Sequence, residues 1–292
     1  MTTAQQLLND ALPQRVSSRK GRWRCGGADI RHAIYCAEKA LEAAKIMKSE
    51  SAYPPIRDST CLQSSRRRVV LRCSMSYNSR ATCVMKIVFL PGLKHKLRYR
   101  RCGLSEAANL VRARQLGIRV PVVYGCGELL SRWRIPVAAA VLMEDLADYR
   151  SANEQLRKAQ KNRILAHTIF DSALPLFVGV YRACCNHIDM HSHNVMLPVN
   201  DVGSMPALVD FEYAAFGTKP NAEILSLQAG KFTRSCQRIV PTLNSGAWFS
   251  KLLDSVDIRS LEDRKRLFRK FNYCRKHKLS VAERLHPTVC AA

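Results

Sequence analysis

The stretch from His187 to Glu212 constrains this chain more than any other. It opens His187-Ile188-Asp189-Met190-His191-Ser192-His193-Asn194 and, after a short insert, resumes Leu208-Val209-Asp210-Phe211-Glu212. The first part is a tight-loop pattern, His-x-Asp-x-x-x-x-Asn. The second is an apolar strand, Ala207-Leu208-Val209, that ends on an acid. Asp189, Asn194 and Asp210 are side chains of the kinds that handle protons and hard metal ions. A His-rich surface loop beside an unrelated strand-end Asp is the plain alternative. The agreement of three residues in order and context favours a site.

This pattern resembles the catalytic half of the protein-kinase signature set. It is closer to the kinase-like phosphotransferases that act on small molecules and sugars, where a His often replaces the Lys after the catalytic Asp; here that residue is His191. The resemblance implies that Asp189 accepts the proton of the acceptor hydroxyl and holds it in line. Asn194 and Asp210 are then the oxygen ligands that Mg²⁺ prefers, the ion keeping its waters and the ATP phosphates as well. His191 contacts the acceptor or the transferred phosphate, and His187 holds the loop by a hydrogen bond.

The upstream sequence supplies the rest of such a pattern. Residues 69–75 are rich in β-formers, 77–80 are turn-like, and 81–90 form a second strand, which together read as a hairpin. Lys86 lies in Cys83-Val84-Met85-Lys86-Ile87-Val88. This resembles the Val-Ala-Ile-Lys strand that brings a Lys to the α/β-phosphates. Residues 104–116 have helical spacing, with Gly103 or Ser105 as the cap and Gly117 as the stop. Glu106 falls in the first turn of that helix. It is either the ion-pair partner of Lys86 or an acid favoured by the helix dipole. The helix, then Gly117-Ile118-Arg119-Val120-Pro121 and Tyr124-Gly125, resembles bacterial kinases of lipopolysaccharide core sugars. Residues 137–143 form a continuous apolar run that fits a buried strand. Glu144 and Leu146 follow, where the resemblance places the hinge whose backbone groups bind adenine. Residues 163–184 read as a central helix broken or kinked at Pro175.

Downstream, Asp210-Phe211-Glu212-Tyr213 is similar to choline kinases and aminoglycoside phosphotransferases, since protein kinases carry Gly where this chain has Glu212. Glu223 is the nearest candidate for the further acid of that group. The resemblance covers about residues 65–230 and points away from protein substrates. One departure stands out. No Gly-x-Gly-x-x-Gly loop precedes Lys86, although backbone approach to phosphates usually exploits glycine there.

Size and charge set the remaining bounds. At 292 residues with 47% apolar content, the chain can build a substantial core. No uninterrupted apolar run approaches a membrane span, and no secretory signal is expected. The 12 cysteines are scattered, without a Cys-x-x-Cys pair, so reduced thiols and no zinc site are expected. A formal charge of +24 favours acidic partners: phosphorylated substrates, an anionic membrane surface and, ranked lower, nucleic acid. Basic residues cluster at 66–68, 94–101 and 264–278. In the last cluster Leu267, Phe268 and Phe271 interleave with the charges, as in a terminal helix packing its apolar face or lying on anionic lipid. Residues 30–47 read as an amphipathic helix and 51–60 as a linker. The basic segment 21–27 around Trp23 is either a contact for nucleic acid or lipid, or a covering loop.

The expected fold is α+β and protein-kinase-like, with a small β-rich N-lobe and a mainly helical C-lobe. The expected division is a basic extension at 1–60, an N-lobe at 61–143, and a C-lobe at 144–292 that begins with the hinge. The expected function is ATP- and Mg²⁺-dependent phosphorylation of a hydroxyl on a sugar or small molecule, first of all a lipopolysaccharide-core sugar. A cytoplasmic protein, peripheral at the inner face of the membrane, fits that acceptor. An aminoglycoside- or choline-kinase-like enzyme and a nucleotide-free basic binding module are the alternatives.

Overall fold

The computed structural model describes residues 4–18, 20–26, 29–46, 59–65, 68–75, 81–90, 102–199, 204–280 and 283–284. The chain divides into two compact units, Met1–Arg112 with Pro121–Asp145, and Ala113–Val120 with Leu146–Ala292.

The first unit is a seven-stranded sheet in the order β1-β2-β6-β7-β5-β4-β3. Its strands are β1 (Gln14–Ser17), β2 (Gly21–Cys25), β3 (Ser59–Ser65), β4 (Arg68–Ser74), β5 (Thr82–Phe89), β6 (Val123–Leu130) and β7 (Pro136–Glu144). Every neighbouring pair is antiparallel. Period-two burial shows why one face is covered: Val69, Leu71 and Cys73 of β4 and Cys83, Met85 and Ile87 of β5 all point into the core. After the short helix α1 (Ala4–Ala11), helix α2 (Arg31–Ile46) lays Ala33, Ile34, Ala37, Ala40 and Leu41 on that face. Strand β7 is buried from Ala138 to Met143, which is why its sequence is a continuous apolar run rather than an alternating one.

The expected hairpin is present as β4 and β5, with Ser74 opposite Thr82. Its turn, and with it the departure from a Gly-rich loop, lies outside the described residues, as do the basic residues 66–67 and 94–101. Helix α3 (Cys102–Gln115) begins earlier than expected, so Gly103 and Ser105 lie inside it rather than capping it. Gly117 does stop it: at φ +82° its N–H returns to Arg114 O at 3.0 Å, and Ile118 N to Ala113 O.

Two expectations about residues 1–60 need correction. The described part of this stretch is no appendage, because β1, β2 and α2 belong to the sheet unit; residues 59–60 open β3, and the rest of the expected linker, 51–58, lies outside the described residues. The basic segment at Trp23 is strand β2, paired on both sides. Trp23 itself is buried against the α2 face, where period-two alternation sends it inward and Arg22 and Arg24 outward.

The second unit is mainly helical: α4 (Ala152–Ala159), α5 (Arg163–Asp171), α6 (Leu174–Arg182), α7 (Ala222–Gln237), α8 (Ser245–Ser255) and α9 (Leu261–Lys276). Ser151, Asn162, Asn221, Asn244 and Ser260 cap five of these by accepting from backbone N–H groups in the first turn. The stretch at 163–184 folds as two helices. Its break comes at residues 172–173, and Pro175 sits in the first turn of α6, where a missing N–H costs nothing. Residues Arg163–Arg182 are long and apolar enough for a membrane span by length and composition alone. Here they supply Phe170 and Phe177 to a ring cluster with Phe232 and Trp248. The basic helix α9 likewise buries Leu267 and Phe271, the latter stacked on Phe249 at 4.2 Å.

Short strands complete this unit. β10 (Val195–Pro198) pairs with β8 (Tyr149–Ser151) and with β11 (Ala207–Leu208), while β9 (Cys185–Asn186) pairs with β12 (Ala215–Phe216).

Candidate phosphoryl-transfer site

The loop 187–194 spans from β9 to β10 and is held from one side by helix α7. Gln228, Lys231 and Ser235 are three and four residues apart, so they share one face of that helix. Gln228 Nε2 donates to Cys185 O at 3.1 Å, Lys231 Nζ to Ile188 O at 2.8 Å, and Ser235 Oγ accepts from Ser192 N at 2.8 Å. The loop also holds itself. Asn194 Nδ2 donates to the Asp189 carbonyl at 3.0 Å, and the Asn194 N–H to His191 O at 2.9 Å. Asp189 and Asn194 are thereby fixed to each other through backbone atoms.

Asp210 is carried to the same place by strand pairing. Val195 stands opposite Leu208, so the next residue, Val209, donates its N–H to Asn194 O at 3.0 Å. On its other side, the Val209 carbonyl takes a hydrogen bond from His187 Nε2 at 3.0 Å. The His187 ring packs edge-on against buried Phe211. His187 is fully buried, and burial first of all pushes its pKa down, so it serves as a neutral brace. Asp210 follows with φ +66°, a left-handed conformation that Asp tolerates better than most residues. Sequence order alone predicts none of this geometry, but it places all three residues on the elements that produce it.

Asp189 carries two cations. Lys231 Nζ is 2.5 Å from its Oδ1, and Arg284 donates to the same oxygen. Burial works to raise the pKa of Asp189, but Lys231 and Arg284 outweigh it and hold the carboxyl below its ordinary value. Burial also lowers Lys231, and Asp189 works against that shift. His191 is pushed down to about 4, by burial first and then by Lys231, so its ring is neutral at pH 7. His193 is exposed, and its N–H contacts His191 Nδ1 at 3.3 Å.

The first unit holds the other expected pair. Lys86 Nζ lies 2.8 Å from both carboxylate oxygens of Glu106, and both side chains are buried, at 6% and 3% exposure. Gly103 allows this by bringing α3 close to β7: a Cβ there would stand 3.2 Å from Ala139 Cβ and 3.3 Å from Ala140 N. Of the two readings of Glu106, the ion pair is the one observed. Glu144, at the end of β7, donates its N–H to Val122 O at 2.8 Å and accepts the Val122 N–H on its carboxylate at 3.0 Å. Leu146 is buried, and its carbonyl takes the Tyr149 N–H. Glu223 pairs with Lys270 at 2.8 Å rather than with the loop.

Lys231 and Arg284 were not anticipated from the sequence. Lys231 left no signal in the sequence, since its neighbours Leu225-Ser226-Leu227-Gln228-Ala229-Gly230 are of mixed polarity and only the fold shows them buried. Arg284, far along the chain, left none either.

The chain has an α+β, protein-kinase-like fold, with a β-rich unit and a mainly helical one. Among solved structures it is similar to WaaP in complex with acyl carrier protein, at a TM-score of 0.54 and 14% identity, over 81% of this chain and 91% of that one. No protein-family model matches the chain, and no curated protein does. The likeness to WaaP is one of fold.

Proposed function

We propose that the chain is an ATP- and Mg²⁺-dependent phosphotransferase acting on a hydroxyl of a sugar or small molecule, with a lipopolysaccharide-core sugar as the favoured acceptor. The observation that carries this reading is the buried Lys86–Glu106 pair. Burying two charges is costly unless geometry and use repay it. The same resemblance that singled out those residues also assigns Asp189, Asn194 and Asp210. The fold shared with WaaP is compatible with this reading. The charge of +24 suits an anionic glycan at the cytoplasmic face of a membrane.

The donor atoms fit Mg²⁺. Asn194 commits its Nδ2 to the Asp189 carbonyl, which leaves the amide oxygen as the ligand atom, and Asp210 offers a carboxylate. Bound Mg²⁺ neutralises phosphate charge and aligns the group in flight. Lys86 orients the ATP phosphates and Glu106 orients Lys86. The hinge at Glu144 and Leu146 would receive adenine through the Leu146 N–H, since the Glu144 N–H is committed to Val122 O and the Leu146 carbonyl to Tyr149.

Asp189 holds the acceptor hydroxyl. Its Oδ1 carries Lys231 and Arg284, while among the described residues Oδ2 takes no hydrogen bond, so Oδ2 is the atom that receives the proton. A carboxylate held low is a weak base. It would therefore align the hydroxyl first and take its proton as the hydroxyl oxygen bonds to the γ-phosphorus and the bond to the departing ADP breaks. His191, neutral, contacts the acceptor or the transferred phosphate.

ATP binding by calorimetry, with and without Mg²⁺, tests the reading on wild type and Asp210→Ala. Mg²⁺-dependent binding that weakens in the variant supports it. No ATP binding by folded wild type removes it. The second reading, a basic binding module, then takes its place on the strength of the charge, with salt-dependent RNA or membrane binding as its mark. The Asp210-Phe211-Glu212-Tyr213 segment supports an aminoglycoside- or choline-kinase-like acceptor as the other alternative.

A further inference from the structure

Beside Asp189 the second unit forms a half-open cavity of about 230 Å³. Four fixed cations line it: Lys231 and Arg234 from α7, and Lys278 and Arg284 from the chain after α9. One carboxylate, that of Asp189, faces them, and Leu227 and Leu279 fill the walls between. Their charge exceeds what the one acid can balance. Lys231 and Arg284 share a single oxygen of Asp189, and among the described residues neither Arg234 nor Lys278 has a side-chain ion pair. A concave, partly apolar wall strengthens such an excess of positive charge, because field lines are focused where water is thin.

We infer that this cavity is an oxyanion subsite, which holds a phosphate or carboxylate group carried by the acceptor while its hydroxyl lies at Asp189. The inference rests on the phosphotransferase reading for the word acceptor, and on the cavity alone for the anion. Charge also decides among acceptor classes. A cationic aminoglycoside or choline-like molecule meets four like charges here, and like-charge placement costs several kcal/mol. A phosphorylated or acidic sugar meets a fork of donors. Arg284 and Lys231 then have two tasks: they set Asp189 low, and they present their remaining N–H groups to the anion.

The test is binding of inorganic phosphate, glucuronate and neutral glucose to the full chain. Calorimetry is run with Mg²⁺ and a saturating non-hydrolysable ATP analogue, so that the nucleotide site does not take up phosphate. The variant is Arg234→Gln with Lys278→Gln, neither of which touches Asp189. Lys158→Gln with Lys251→Gln removes the same charge from distant surface pairs.

Phosphate and glucuronate should bind wild type and the distant variant alike, and glucose should not. Binding should weaken about tenfold or more in the cavity variant, the loss expected of one charge-assisted hydrogen bond. Equal weakening in both variants reduces the effect to the overall field of the chain and overturns the inference. So does wild type that binds no anion. Wild type that binds the anions but no ATP analogue sinks the phosphotransferase reading and leaves the anion subsite standing.

Discussion

Lys231 Nζ stands 2.5 Å from Asp189 Oδ1, and Arg284 reaches the same oxygen from the far end of the chain. The residue proposed to receive the acceptor proton is therefore pinned by two cations on one oxygen, while among the described residues the other takes no hydrogen bond. Asp189→Ala should lower turnover by about 10²–10⁴-fold, the range for a positioned proton acceptor, with ATP–Mg²⁺ affinity near that of wild type. Turnover close to wild type would remove Asp189 from the mechanism.

The Lys86–Glu106 pair calls for a double-mutant cycle. Lys86→Met leaves a buried carboxylate uncompensated and should cost about 3–5 kcal/mol of stability. Lys86→Met with Glu106→Leu should regain most of that loss while ATP affinity stays low. Urea unfolding reads the first quantity and calorimetry the second. Recovery of ATP affinity in the double variant would make the pair purely structural.

Protonation at the loop gives a direction with pH. His191 falls from 6.5 to about 4 in the folded chain, so between those values the unfolded chain binds the proton and the folded one does not. Stability from this residue is full above pH 6.5 and is lost as pH falls toward 4. His187 is shifted the same way by burial, and Asp189, also held low, adds a loss at still lower pH. Urea midpoints from pH 7 to 4 should fall, and His191→Gln should flatten that slope. An unchanged slope would mean that His191 titrates normally.

Thiol labelling separates the cysteines. Burial pushes Cys126 and Cys185 up to about 12, so neither is a thiolate at pH 8. Among the described cysteines, iodoacetamide should modify exposed Cys61 first and half-buried Cys184 next, with Cys126 and Cys185 reacting only in denaturant. Peptide mass spectrometry decides it. Prompt native labelling of Cys185 would mean that β9 opens readily.

Much of the site was legible because the signal was local. The order Asp189, Asn194, Asp210 survives in any fold that keeps a loop followed by a short strand. Lys86 announced itself as a charge in an apolar strand, and Glu106 as an acid one helix later. The reading of residues 1–60 failed for a reason of the same kind. β1, β2 and α2 join a sheet whose other strands lie far along the chain, and strand order is not written in any window of sequence. The cap of α3 was misplaced because helix ends are weakly specified by residue type.

By itself, then, the sequence determined the residue types and their spacing: Asp189, Asn194 and Asp210 about a loop and a short strand, Lys86 within a strand, and a large excess of positive charge. Only the tertiary structure decided which cation stands at which acid. Lys86 meets Glu106 because Gly103 lets α3 settle on β7, and Lys231 and Arg284 meet Asp189 because α7 and the chain after α9 converge on one loop. Periodicity and motif report what lies within a few residues. Ion pairs between residues 42 and 95 positions apart report how the chain packs, and packing is a property of the whole fold.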